Sequence, residues 1–185
     1  MQRMIIGITG GSGIIYAIRL LAELKALSVE THLVVTKNGF LTLAYETEMN
    51  KTMLKELADF YYPCTDLSAP LASGSFRNLG MIVAPCSMKS LADIAHGSSG
   101  NLLTRAADVT LKERRRLVIM ARETPLNLAH LQNMTNITLM GGVIFPPVPA
   151  FYDNPVSIAQ MVDHTVGRVL DLFDLDSTLT QRWGG

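Results

Sequence analysis

Apolar positions along the chain fall into two kinds of run. Short, nearly unbroken runs occur at residues 4–8, in "THLVVT" (31–36), in "LGMIVAP", in "LVIMARE" and in "GGVIFP". Between them apolar residues return every three or four positions, as at Ile14, Ala17, Ile18 and Leu21 within residues 14–27. The first kind predicts strands buried on both faces, the second amphipathic helices. "LTLAYETEMNKTMLKELADFYY" reads as mostly helical, interrupted near Met49 and Asn50. Further helices are predicted over about 87–96, through "AADVTLKERR", in "LNLAHLQNM" and over about 156–172.

Buried strands alternating with helices predict a parallel sheet covered on both faces. The expected fold class is α/β, a doubly wound, flavodoxin- or Rossmann-like three-layer α/β/α sandwich. No internal repeat, low-complexity tract or linker divides the chain, so residues 1–185 are expected to form one domain, with "PLASGSF" (70–76) a loop inside it. Ligands of such sheets bind beyond the carboxyl ends of the strands. The turns that leave the strands are therefore where chemistry is expected.

Composition changes this picture in three ways. Of the 185 residues, 48% are hydrophobic and 17% charged, which leans toward an oligomer. Sixteen basic residues balance sixteen acidic ones, so nothing suggests nucleic-acid binding. Cys64 and Cys86 make neither a disulfide framework nor a zinc-like spacing, which fits a reducing cytoplasm. The uncharged stretch 4–18 resembles a signal peptide, but Gly10, Gly11 and Gly13 break it and no cleavage site follows. No apolar run reaches transmembrane length, and a soluble, cytoplasmic protein without membrane insertion is expected.

The first turn, "GITGGSGIIYA", feeds a predicted helix start, where free N–H groups and the helix dipole favour an anion. Bare glycine backbone lets a phosphate approach, and Ser12 offers a hydroxyl. The dinucleotide fingerprint fits poorly, because Tyr16 takes the place of its third glycine. The second strand also ends in Thr36-Lys37, without an acid for an adenosine ribose. A mononucleotide such as FMN matches better than NAD; a tight turn with no ligand is the plainer alternative. A second hydroxyl-rich start follows the third strand, at Ser87, Met88, Lys89 and Ser90. Capping alone would explain Ser87, but two such starts at one sheet edge suit an anionic ligand. Cys86, with no basic partner in its motif, reads as a buried structural thiol.

With these turns in place the chain resembles the UbiX/Pad-type flavin prenyltransferases, formerly described as aromatic-acid decarboxylase subunits. The resemblance is carried by "GITGGSGIIYAIRLL", "ETE", "ASGSF", "PCSMKSL", "LLTRAADVTLKERRRLVIMARETPL", "MGGVIFPPVPAFYDNP", "VGRVLDLF" and "RWGG", which span the chain. It implies an enzyme that joins the dimethylallyl group of dimethylallyl monophosphate to N5 and C6 of reduced FMN. The product, prenylated FMN, would serve a UbiD-type decarboxylase. It also implies dodecamers with active sites at subunit contacts, and no metal; no DDxxD-like motif is present. That absence tilts the choice toward a monophosphate over a diphosphate donor without deciding it.

The same resemblance assigns residues. Gly10, Gly11, Ser12, Thr36, Ser87, Met88, Lys89, Ser90 and Arg122 would hold FMN, with Thr36 and Ser90 standing where family members more often have serine and threonine. Tyr152, Arg168 and Lys112 would bind the donor phosphate, and Trp183 would close over a neighbouring subunit's site. Ser12 and Glu46 would relay the proton leaving C6, Glu46 needing a raised pKa to serve in proton transfer. Glu123 would protonate the departing phosphate, and Lys112 would stabilise it. Read without the resemblance, Arg122 is an ion pair with Glu123, Glu46 an acidic turn beside Glu48, Arg168 the polar face of a helix and Lys112 a dipole-compensating helix end. Arg114, Arg115 and Arg116 read as a solvated face, and His32, His96, His130 and His164 are assigned no catalytic part. Two other functions remain open at this stage: an FMN-binding carrier or scaffold subunit of a decarboxylase complex, and a flavin-dependent cysteine decarboxylase.

Overall fold

In the computed structural model, which describes residues 2–152 and 154–179, six strands alternate with seven α-helices. The strands are β1 (Arg3–Ile8), β2 (Glu30–Val35), β3 (Phe60–Pro63), β4 (Gly80–Cys86), β5 (Arg116–Ala121) and β6 (Val143–Ile144). The helices are α1 (Ile14–Ala26), α2 (Lys37–Glu46), α3 (Lys51–Glu56), α4 (Met88–Ala95), α5 (Leu102–Lys112), α6 (Leu128–Leu139) and α7 (Ile158–Asp171). All pairings are parallel, and the sheet order is β3-β2-β1-β4-β5-β6. From β1 the chain builds outward to β3, then crosses back to start β4 on β1's other side. The order therefore reverses between β1 and β4, and the crevice for a ligand opens there.

The unbroken apolar strands are explained by two cores. Met4, Ile6 and Ile8 of β1 pack under α1 and α7 with Leu43 of α2 and Leu54 of α3. Ile5, between them, faces Leu91 of α4, Leu103 of α5 and Ile137 of α6. Successive side chains point to opposite faces, and fully burying each such side chain contributes about 1.5–3 kcal/mol. This is the predicted three-layer sandwich.

The sequence reading differs from the structure at the sheet edges. "FYYP", read as the end of a helical stretch, is the edge strand β3. Its aromatic residues suit a pleated surface, and His32 of β2 stacks on the Phe60 ring at 5.0 Å. Asp59 fixes the entry: its Oδ2 accepts from the Thr31 amide (2.7 Å) and hydroxyl (2.9 Å). The predicted interruption is real, since the Asn50 side chain caps α3 by accepting from the Met53 amide at 3.0 Å. Arg115 is no solvated side chain: it donates to the carbonyls of Phe76 (2.8 Å) and Gly74 (2.7 Å) and pins the 73–76 loop. Among the described residues no helix is long and apolar enough to cross a membrane.

Candidate functional site

Four strand exits are tied together at the β1/β4 crevice. Thr9, only 1% exposed, donates its hydroxyl (2.9 Å) and its amide (3.1 Å) to the Pro85 carbonyl. The same hydroxyl oxygen accepts from the Ser87 amide at 2.7 Å. The Thr36 amide donates to Ile8 O (2.9 Å), and the Arg122 amide to Cys86 O (3.2 Å). The turns after β1, β2, β4 and β5 thus share one edge. A Cβ at Gly10 would lie 2.6 Å from the Asn38 Cβ, and one at Gly11 would lie 3.4 Å from the Pro85 Cβ. The first turn is wedged between the start of α2 and the end of β4, and only bare backbone fits at Gly10.

At the start of α1, Gly13 takes φ 104°, a left-handed conformation that favours glycine. No side chain of its own caps the helix. The cap comes from Glu46, at the far end of α2. Its carboxylate accepts from the Gly13 amide (2.9 and 3.2 Å) and the Ile14 amide (3.0 Å). Burial disfavours its charge, but the Ser12 hydroxyl, the two amides and the nearby Arg122 guanidinium outweigh that and hold its pKa below the ordinary carboxylate range. Two expectations are corrected here. The anion at this helix start is the chain's own Glu46, which takes the Gly13 and Ile14 amides, so these two donors are not left for a ligand phosphate. And Glu46 is not a carboxyl of raised pKa: its charge is stabilised, so it is ionised at neutral pH and is a weaker proton acceptor than an ordinary carboxylate.

The starts of α4 and α2 differ. Ser87 caps α4, its Oγ accepting from the Ser90 amide (3.4 Å) and lying 3.3 Å from the Ser90 hydroxyl. Thr36 caps α2 by accepting from the Gly39 amide at 3.1 Å. Neither helix carries an acidic residue in its first turn. Their leading amides have no carbonyl four residues back, and the dipole favours an anion beside them. Met88 packs its side chain against the core below, and the Lys89 ammonium bonds Asp93 (2.7 Å) on the exposed helix face. These two residues offer amides, not side chains, to the crevice. Cys86 is fully buried and its thiol is pushed well above the ordinary range, as a structural cysteine should be. The residues present fit FMN: the neutral donors at two helix starts would suit its phosphate, and the glycine turn with Ser12, Glu46 and Arg122 would suit its ring.

The remaining predicted residues are placed elsewhere. Lys112 ends α5, just before β5, and so lies at the opposite, amino edge of the sheet, ion-paired with Glu113. Glu123, next to Arg122, accepts from the Thr124 amide (3.0 Å) and belongs to the loop leaving β5. Tyr152 lies in the irregular segment between β6 and α7, and Arg168 on the exposed face of α7, its Nη1 donating to Asp171 Oδ2 at 2.6 Å. Trp183 lies outside the described residues. Sequence reasoning missed Thr9 and Asn38, which set the geometry of the crevice. The only sequence signal for Thr9 was a hydroxyl directly after an apolar strand.

The Flavoprotein family model matches residues 1–184. The flavin prenyltransferase UbiX of Neisseria meningitidis serogroup B is 53% identical over 185 residues, covering 100% of this chain and 98% of that protein. A crystal structure of AnUbiX (PadA1) in complex with FMN and dimethylallyl pyrophosphate has a TM-score of 0.98 and 51% identity, over 100% of this chain and 98% of that one. A dodecameric FMN-dependent UbiX-like decarboxylase from Escherichia coli O157:H7 has a TM-score of 0.96 and 45% identity, over 100% of both chains.

Proposed function

The chain belongs to the UbiX family of flavin prenyltransferases, and we propose that it joins the dimethylallyl group of dimethylallyl monophosphate to N5 and C6 of reduced FMN. The observation that carries this reading is the 53% identity to a flavin prenyltransferase over 100% of this chain and 98% of that protein. The product, prenylated FMN, goes to a UbiD-type decarboxylase, and the reaction takes place in the cytoplasm. The related E. coli chain is dodecameric, and the same assembly is proposed for this one.

Each residue group has a task that follows from its position. The leading amides of α4 and α2, with the hydroxyls of Ser87, Ser90 and Thr36, hold the FMN phosphate. Gly10 and Gly11 let the ring lie against the backbone, and Arg122 flanks it. Bound reduced FMN would supply two nucleophilic centres, N5 for the allylic carbon whose C–O bond breaks and C6 for the far carbon of the double bond, and that double bond takes up a proton as the second bond forms. Glu46, ionised and bonded to Ser12, receives at a carboxylate oxygen the proton that leaves C6, with the Ser12 hydroxyl as the link. Lys112, Tyr152 and Arg168 bind the donor phosphate and stabilise charge on the departing oxygen in a water-poor pocket. Arginine's planar fork suits that phosphate. Glu123 supplies a proton to it. Lys112 lies at the wrong edge of its own chain for this task, so it reaches the crevice from a second copy. Trp183 covers a neighbour's site.

The test is anaerobic. Purified protein is mixed with reduced FMN and dimethylallyl monophosphate, and in parallel with the diphosphate, and the released flavin is weighed by mass spectrometry. A gain of one five-carbon unit from the monophosphate is expected. Tightly bound but unchanged flavin with both donors would reduce the protein to an FMN carrier.

A further inference from the structure

We propose that His164 is a positioning residue for the prenyl donor: it holds the Tyr152 phenol so that the phenolic proton is directed at the donor phosphate. The inference rests on the reading above that Tyr152 binds that phosphate.

Tyr152 is 62% exposed and sits in a segment without regular structure, between Pro149 and Pro155. A side chain so placed loses rotamer freedom when it binds a ligand, unless something holds it beforehand. His164 meets it in two ways. Tyr152 Oη and His164 Nε2 are 3.3 Å apart, and the two rings meet edge-on, with centroids at 5.9 Å and planes at 85°. The imidazole itself stands on a fixed base. Its neighbours Thr165 and Val166 are buried on the inner face of α7, and Asp163 accepts from Arg19 Nε of α1 at 2.5 Å. Arg168 follows one helical turn later on the same face as His164. The histidine thus brings a residue of the preceding segment onto the stripe that carries the phosphate-binding arginine.

The direction of the hydrogen bond gives the pair its chemistry. A phenol has one proton to donate and lone pairs to accept with. If Nε2 accepted that proton, only lone pairs would face the phosphate, and anion and oxygen would repel. If Nε2–H donates to the phenol oxygen, the phenolic proton is free for the phosphate. An anionic ligand beside Tyr152 selects the second arrangement. A side chain that replaces His164 must therefore keep an N–H donor to keep the effect.

The experiment measures kcat and KM for dimethylallyl monophosphate, and FMN affinity, in H164L, H164Q, Y152F and the H164L/Y152F double variant. H164L is expected to raise KM about tenfold, the loss of one hydrogen bond to a charged ligand, and to lower kcat as well, because Tyr152 also stabilises charge on the departing oxygen, with FMN affinity little changed. H164Q keeps a donor and should stay near the parent enzyme. Y152F should raise KM as H164L does, and the double variant should be no worse than Y152F alone, because the two residues act as one. An unchanged KM in H164L beside a raised one in Y152F would overturn the role of His164 and leave the Tyr152 reading standing. An unchanged KM in Y152F would overturn both. Equal losses in H164L and H164Q, with FMN affinity falling too, would mark His164 as structural only.

Discussion

Two helices, α1 and α4, begin at the same sheet edge, after adjacent parallel strands, and solve the same electrostatic problem differently. Each presents unpartnered amides and the positive end of a dipole. At α1 the chain supplies the missing negative charge, the Glu46 carboxylate, from 33 residues away. At α4 it supplies a neutral hydroxyl from Ser87. The filled start holds an ionised carboxylate next to Ser12 and Arg122; the α4 start has no acidic residue in its first turn and only a neutral cap. Under the proposed function the difference separates two tasks within one crevice: α4 would bind a charged group, and α1 would keep a base in place.

The strongest way to break this division is to make the two starts alike. Ser87→Asp keeps a good N-cap but puts a carboxylate where the FMN phosphate is proposed to sit. Loss of a charge-assisted bond plus like-charge repulsion should weaken FMN binding about 1,000-fold, with the thermal midpoint hardly moved. Fluorescence titration with FMN checks this; unaltered affinity would mean that the phosphate sits elsewhere. The converse change, Glu46→Gln, keeps the shape but removes the base. Here kcat in the anaerobic assay should fall about 100-fold, while FMN affinity holds. A variant that lost FMN affinity but turned over bound flavin normally would assign α1 to binding after all.

A smaller effect is expected from Thr9→Val, which sharpens the comparison by loosening what joins the two starts. The valine leaves the Ser87 amide and one bond to the Pro85 carbonyl without a partner. The cost should be about 1–3 kcal/mol, or about 2–12 °C in thermal midpoint for a chain of this size. Differential scanning calorimetry measures it directly. If Tm stayed put, the hydroxyl would not be what fixes the crevice.

How much of this was legible in the sequence depends on range. The β1, β2, β4 and β5 strands and the Ser87 cap follow from local patterns, because burial on both faces and N-capping leave signatures within a few residues. β3 did not, since "FYYP" has the length and composition of a helix end as well as of an edge strand, and its stack with His32 is a tertiary contact. The Gly13 turn showed that something must approach bare backbone there. It did not show that the visitor is Glu46, because a bond between residues 33 apart leaves no spacing to read. Lys112 illustrates the same limit: its motif was legible, but its place at the amino edge of the sheet comes only with the order of α5 and β5.

The gentlest test of the contrast is titration, because only one of the two helix starts carries a titratable cap. The folded Glu46 carboxyl has its pKa below the ordinary carboxylate range, and in the unfolded chain it returns to that range. Its contribution to stability is therefore complete above the ordinary carboxylate range and is lost as pH falls through the lower, folded value. The carboxylate is partly open to solvent, so the contribution is modest: about 0.3–1 kcal/mol for a charge at a helix start, or about 1–4 °C in midpoint. The quantity to follow is the Tm gap between the parent protein and Glu46→Gln. Other carboxyls with lowered pKa, Glu30, Asp59 and Glu113, titrate in both proteins and cancel in the difference. The gap should be constant near neutrality and close in acid. The corresponding gap for Ser87→Ala should stay constant over the same range, because a hydroxyl does not titrate there. Two gaps that closed together would mean that acid acts on the fold as a whole. A Glu46 gap that never closed would mean that its bonds to Gly13 and Ile14 need no charge, and the two helix starts would then be equivalent.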